Sequence, residues 1–152
     1  MKTFVFRLQS VLLLREREEQ AAQLEYAEAL KALLVAQRLL QDAERLRDEL
    51  DEAFAERRKH GFRAAEQNIY WVSMLKHHEG CKLRAENFAK SAEEVERLRI
   101  QMLEAKRKSE TMLHLKEKQQ QAYKEAERHA DELLIDDIVS ARYASELRKA
   151  SA

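Results

Sequence analysis

From Ala22 to Ala53 the apolar residues return at steps of three and four. Ala22, Glu25, Ala29, Ala32, Ala36, Leu39, Ala43, Leu46, Leu50 and Ala53 fall at a and d of a heptad, and all but Glu25 are apolar. Between them lie Glu28, Lys31, Arg38, Asp42, Arg45, Asp48 and Glu49, the pattern of a solvated face. The seam is rich in alanine, so two helices can approach closely while each residue buries little area. One such helix cannot hide its own stripe and needs a partner helix.

The pattern stops at Lys59-His60-Gly61-Phe62. Basic residues suit the carboxyl end of a helix, glycine takes the left-handed position after it, and an apolar residue follows. A turn is expected over about 61–68, with Asn68 as N-cap of the next helix. From Ile69 the heptad resumes. Met74, Cys81, Phe88, Val95, Met102, Ser109, Lys116, Tyr123 and Ala130 fall at a, and His77, Arg84, Ser91, Leu98, Ala105, Met112, Gln119, Ala126 and Leu133 at d. The expected fold is all-α: one antiparallel two-helix coiled-coil hairpin over 1–152, with helices at about 4–60 and 69–147. At 1.5 Å per residue the arms span roughly 80 Å and 120 Å. Counting back from the turn puts Phe4 near Gln121 and leaves everything past about Tyr123 overhanging.

Two stretches at the chain ends are more apolar than a solvated helix requires. Phe4, Phe6 and Leu8 alternate, which alone suggests a strand. With no strand partner in the chain, a helix capped by Thr3 is the preferred reading, and one capped by Ser10 the alternative. The run Val11–Leu14 follows. In the overhang, Leu133, Leu134, Ile135, Ile138, Val139, Tyr143 and Leu147 have no partner in the hairpin. An uncovered apolar face marks a partner surface.

Composition narrows the choices. The 152 residues include no proline, two glycines and 37% charged residues, which suits long helices and excludes turn-rich folds. Lys plus Arg is 28 and Asp plus Glu is 28, interleaved along the chain, so no basic surface for nucleic acid is expected. A single cysteine rules out an internal disulfide and fits a reducing compartment. No apolar run is long enough to span a membrane, and the opening lacks a signal-peptide pattern. Two isolated glycines cannot build a phosphate loop, and two paired helices offer no water-excluding pocket for His114 or His129, so no catalysis is expected. His77, His78 and Cys81 lie within one helical turn, but zinc asks for four ligands and no second pair exists; no metal or other cofactor is expected.

The opening Phe4-Val5-Phe6-Arg7-Leu8-Gln9-Ser10-Val11-Leu12, with Leu14-Arg15-Glu16 and Glu18-Glu19-Gln20-Ala21-Ala22, resembles the start of the flagellar export protein FliJ family. Lys116 to Gln119 and the acidic pair Asp136-Asp137 before Ile138 are similar to that family's charged last helix. The resemblance implies a cytoplasmic stalk of the flagellar type III secretion apparatus, held peripherally at the inner membrane and serving flagellar assembly, motility and chemotaxis. Such a stalk binds the export ATPase ring, promotes its assembly and activity, contacts the cytoplasmic domain of the export gate, and handles export chaperones. It places the ATPase-ring contact on the terminal residues Phe4, Phe6, Leu8, Leu12, Leu133, Leu134 and Ile138. It places the gate contact on Trp71, Leu75 and His78, with Tyr70 and Met74 if the alignment shifts by one residue. Gly80 and Cys81 depart from the family's pattern. Three other readings stay open: a packed cap over the turn for the Trp71 cluster, a dimeric or structural scaffold with no ATPase partner, and the equivalent stalk of an injectisome.

Overall fold

The computed structural model describes residues 3–150, so Met1, Lys2, Ser151 and Ala152 of the expected 1–152 unit lie outside the described residues. Two helices account for nearly all of it: α1 (Gln9–Lys59) and α2 (Ala64–Ala150). They form the antiparallel hairpin that the two heptad stretches call for, with the second helix longer. The chain divides into two compact units, residues 18–105 and residues 3–17 with 106–150.

Within residues 18–105 the turn is shorter than expected. Gly61 takes φ +85°, the left-handed backbone that ends a helix, and the His60 N–H donates to the Arg57 carbonyl at 3.1 Å. Arg57, Arg58 and Lys59 sit in the last turn of α1, where their charge suits the helix dipole. α2 then begins at Ala64, and its first backbone bond runs from the Gln67 N–H to the Arg63 carbonyl at 3.0 Å. Asn68 is therefore inside the helix rather than its cap. Ala64-Ala65-Glu66 are good helix formers directly after the turn, and Glu66 supplies a first-turn acid that meets Arg57 of α1 at 3.4 Å.

The seam corrects half of the first register. Ala22, Ala29, Ala36, Ala43 and Leu50 face inward as expected. The positions between them do not: Glu25, Ala32, Leu39, Leu46 and Ala53 are exposed, and their neighbours Tyr26, Leu33, Leu40, Arg47 and Phe54 turn inward. The choice has a physical reason. Where Ala32 competes with Leu33, or Ala53 with Phe54, burying the larger side chain removes more apolar surface from water. On α2 the register holds as far as Ala105: Met74, His77, Cys81, Phe88, Ser91, Val95, Leu98, Met102 and Ala105 are buried or half-buried, and over that stretch only Arg84 of the expected seam is exposed.

In the other unit, α1 does not start at Phe4. Residues 3–6 are neither helix nor strand, and the helix is entered through the Gln9 N–H bonding the Phe6 carbonyl at 3.1 Å and the Leu12 N–H bonding the Leu8 carbonyl at 3.0 Å. Neither Thr3 nor Ser10 caps it. The alternation of Phe4, Phe6 and Leu8 is seen in burial only at its start: Phe4 and Phe6 turn inward while Val5 and Leu8 are exposed. Phe4 meets Tyr123 with ring centroids 5.7 Å apart, two residues from the position that counting back from the turn gives. Ser109, Met112, Lys116 and Tyr123 continue the inward face of α2, but the expected seam positions Gln119 and Ala126 are exposed; past Glu127 every described residue is exposed, Ala130 and Leu133 among them.

Candidate binding surfaces

The expected contacts fall on two surfaces, one in each unit. In the terminal unit the named residues separate by burial. Phe6 and Leu12 are 6% and 2% exposed, so their side chains are committed to packing within the chain. Phe4 is half-buried against Tyr123 and Leu8 is partly exposed. Leu133, Leu134 and Ile138 touch nothing that covers them; Leu134 is 60% exposed. Ile135, Val139, Tyr143 and Leu147 are exposed with them.

Successive helical residues are about 100° apart around the axis. Leu133, Leu134, Ile135, Ile138 and Val139 therefore occupy roughly two thirds of the circumference, and Tyr143 and Leu147 fill most of the remainder. A single partner helix covers one stripe. Apolar side chains on all sides suit a partner that surrounds the helix.

The second surface lies just after the turn. Tyr70 packs inward in a triangle of rings with Phe54 and Phe62, at centroid distances of 6.1, 5.6 and 5.4 Å for Phe54–Tyr70, Phe62–Tyr70 and Phe54–Phe62. Met74 is half-buried in the seam. Trp71, Leu75 and His78 point outward on one face, with Trp71 53% exposed. The cap over the turn is thus made by Phe54, Phe62 and Tyr70, and Trp71 is left free of it. Sequence reasoning read Phe62 only as the apolar residue that follows Gly61 at the helix end and did not name Phe54. His78 is held by α1, its Nε2 lying 3.2 Å from Asp51 Oδ2 and 3.3 Å from Asp51 Oδ1.

Charge around these surfaces is local. Glu94 accepts from Arg97 and Glu96 from Arg99, one helical turn apart; these hydrogen bonds hold both carboxyls below the usual range and both guanidinium groups above it. Cys81 is buried in the seam while His78 faces Asp51, so the two do not share a face. Among the described residues no group of three or more His, Cys, Asp or Glu could hold a metal ion, and no helix is long and apolar enough to cross a membrane. The arrangement offers surfaces for binding other proteins.

The fold has a counterpart among solved structures. A protein described as a YscO homolog from Chlamydia trachomatis superposes with a TM-score of 0.72 over 99% of this chain and 100% of its own, at 17% identity. At that identity the likeness concerns the fold alone. No curated protein matches the sequence. Residues 4–148 match the pattern described as flagellar FliJ protein, which spans both helices and both surfaces. The chain belongs to the flagellar FliJ family.

Proposed function

We propose that this type III export component acts as a stalk: the exposed apolar end of α2 enters the export ATPase ring, and the Trp71 face meets the cytoplasmic domain of the export gate. The observation that carries the first half is the circumferential exposure of Leu133, Leu134, Ile135, Ile138 and Val139. The opening of a ring is the partner geometry that covers such a set on all sides. A ligand that binds the assembled ring and not its free subunits favours assembly by mass action, and activity that needs the ring rises with it. The gate contact rests on Trp71 and Leu75 remaining exposed beside a ring cluster that does not need them. The role is structural and asks for no catalytic group or cofactor.

The test is stimulation of ATP hydrolysis by the export ATPase. Leu134→Asp and Ile138→Asp place charge where burial in the ring is required and disturb no packing within the chain. Both variants should lose stimulation while keeping full helicity. Unaltered stimulation by both would remove this stretch from the ring contact. A stable dimer of the unmodified protein that these variants dissolve would favour the scaffold reading.

A further inference from the structure

On the side of the helix pair away from His78, α1 and α2 leave a groove of about 360 Å³ lined by Leu39, Asp42, Leu46, Lys76, Gly80 and Arg84. All lie within residues 18–105. Residue 80 lines the groove without a side chain: a Cβ there would come to 3.1 Å from Nη1 at the end of the Arg84 side chain, which would have to shift slightly. Glycine weakens a helix interior, so its place midway along a helix needs a local reason. Its walls are apolar on one side, where Leu39 and Leu46 are 51% and 44% exposed because the seam took Leu40 and Arg47 instead. The other side is cationic. Arg84 stands at a seam position yet is exposed, with Nη1 3.4 Å from the Gly80 carbonyl. Among the described residues neither Arg84 nor Lys76 has a carboxylate partner, whereas Asp42, the acid on the rim, is already paired with Arg45 at 3.0 Å.

We propose that this groove is a third docking surface, and that its occupant is an acidic amphipathic helix of a partner protein. The apolar stripe of that helix would lie over Leu39 and Leu46, with a small residue seated above Gly80. Its carboxylates would meet Lys76 and Arg84. Charge complementarity selects this occupant: a basic helix would face two cations with no acid free to answer them, and an uncharged one would leave both unpaired on desolvation. The surface is separate from Trp71, Leu75 and His78, so gate binding and groove binding need not compete for side chains.

The two glycines of the chain supply the test. With ¹⁵N-glycine labelling the full-length protein shows two reporter amides, Gly80 in the groove and Gly61 in the turn. The probe is a synthetic amphipathic helix of leucine, alanine and glutamate; its control replaces glutamate with lysine. The Gly80 resonance should move saturably with the acidic helix and not with the basic one, while Gly61 stays in place. No movement of Gly80, equal movement with both helices, or joint movement of both glycines would overturn the proposal. Two variants, read by anisotropy of the labelled helix, separate binding from folding. Leu46→Glu should weaken binding roughly tenfold, the size expected for a central contact residue. Gly80→Ala should raise the thermal midpoint, since alanine favours the helix, and still weaken binding several-fold by filling the floor. A stabilised Gly80→Ala protein that binds as tightly as the original would contradict the docking role.

Discussion

Leu12 and Leu134 are the same residue type, one in α1 and one in α2 of the same unit, and the structure gives them opposite environments. Leu12 is almost fully enclosed and Leu134 is mostly in solvent. Leu→Ala at an enclosed site costs the transfer of the removed methyl groups plus the cavity left behind, about 2–5 kcal/mol. Around Leu12 only two helices and the non-helical Phe4–Phe6 segment can supply neighbours, so the site can relax and the lower part of that range applies. About 2–3 kcal/mol is expected for Leu12→Ala. Leu134→Ala removes no packing within the chain and should stay within about 0.5 kcal/mol. The assay is urea unfolding followed by helical circular dichroism. With a slope of about 2 kcal/mol per molar urea, Leu12→Ala lowers the midpoint by about 1 M and Leu134→Ala leaves it in place. Hydrogen exchange adds position, because the loss near one end should open the first turns of α1 before the rest. A Leu12→Ala protein with an unmoved midpoint, or a Leu134→Ala protein as unstable as Leu12→Ala, would refute the division between packed and unpacked residues.

Three further outcomes follow from single features. Gly61→Ala should cost about 1–2 kcal/mol in thermal unfolding, since open space surrounds the site and the whole penalty lies in the left-handed backbone at φ +85°. Trp71→Ala should weaken binding to the gate's cytoplasmic domain by about 1–2 kcal/mol in calorimetric titration while moving stability by no more than about 0.5 kcal/mol; a Trp71→Ala protein that binds normally removes this face from the gate contact. Acid should loosen the hairpin slightly around Glu94 and Glu96. Their carboxyls are held below the ordinary value by Arg97 and Arg99, so this support is present above the unfolded-state value and lost as pH falls through the lower folded value. The pairs lie at the surface, so the effect should shrink in concentrated salt, and Glu94→Gln with Glu96→Gln should abolish it.

How far the sequence could be read depended on how unequal neighbouring residues were. The register of α2 was legible because Val95 and Leu98 each stand between two charged residues, Glu94 and Glu96 for one and Arg97 and Arg99 for the other, with no apolar rival beside them. In α1 the pairs Leu39-Leu40 and Ala53-Phe54 put apolar side chains at adjacent positions, and periodicity alone did not separate them. Burial of the larger residue decided Ala32 against Leu33 and Ala53 against Phe54, and the same seam, carried on between them through Leu40 and Arg47, leaves Leu39 and Leu46 of the groove exposed. Gly61 announced the turn because only its conformation fits there, but not the turn's length, since Ala64 to Glu66 resume the helix at once. The entry to α1 was misread because Phe4 and Phe6 pack inward from a segment that is neither helix nor strand, an option the periodicity does not distinguish. On the terminal surface, spacing identified the apolar residues but not which of them pack within the chain; Phe6 and Leu12 against Leu134 and Ile138 needed coordinates.

The central claim is that the exposed end of α2 stabilises an assembled ATPase ring. The direct measurement is ATP hydrolysis and particle mass of the export ATPase, taken together, with and without this protein. The account predicts that both rise: faster hydrolysis and a shift from subunits to the assembled ring, each saturating at one copy per ring. Correctly folded helical protein that changes neither the rate nor the mass would contradict it.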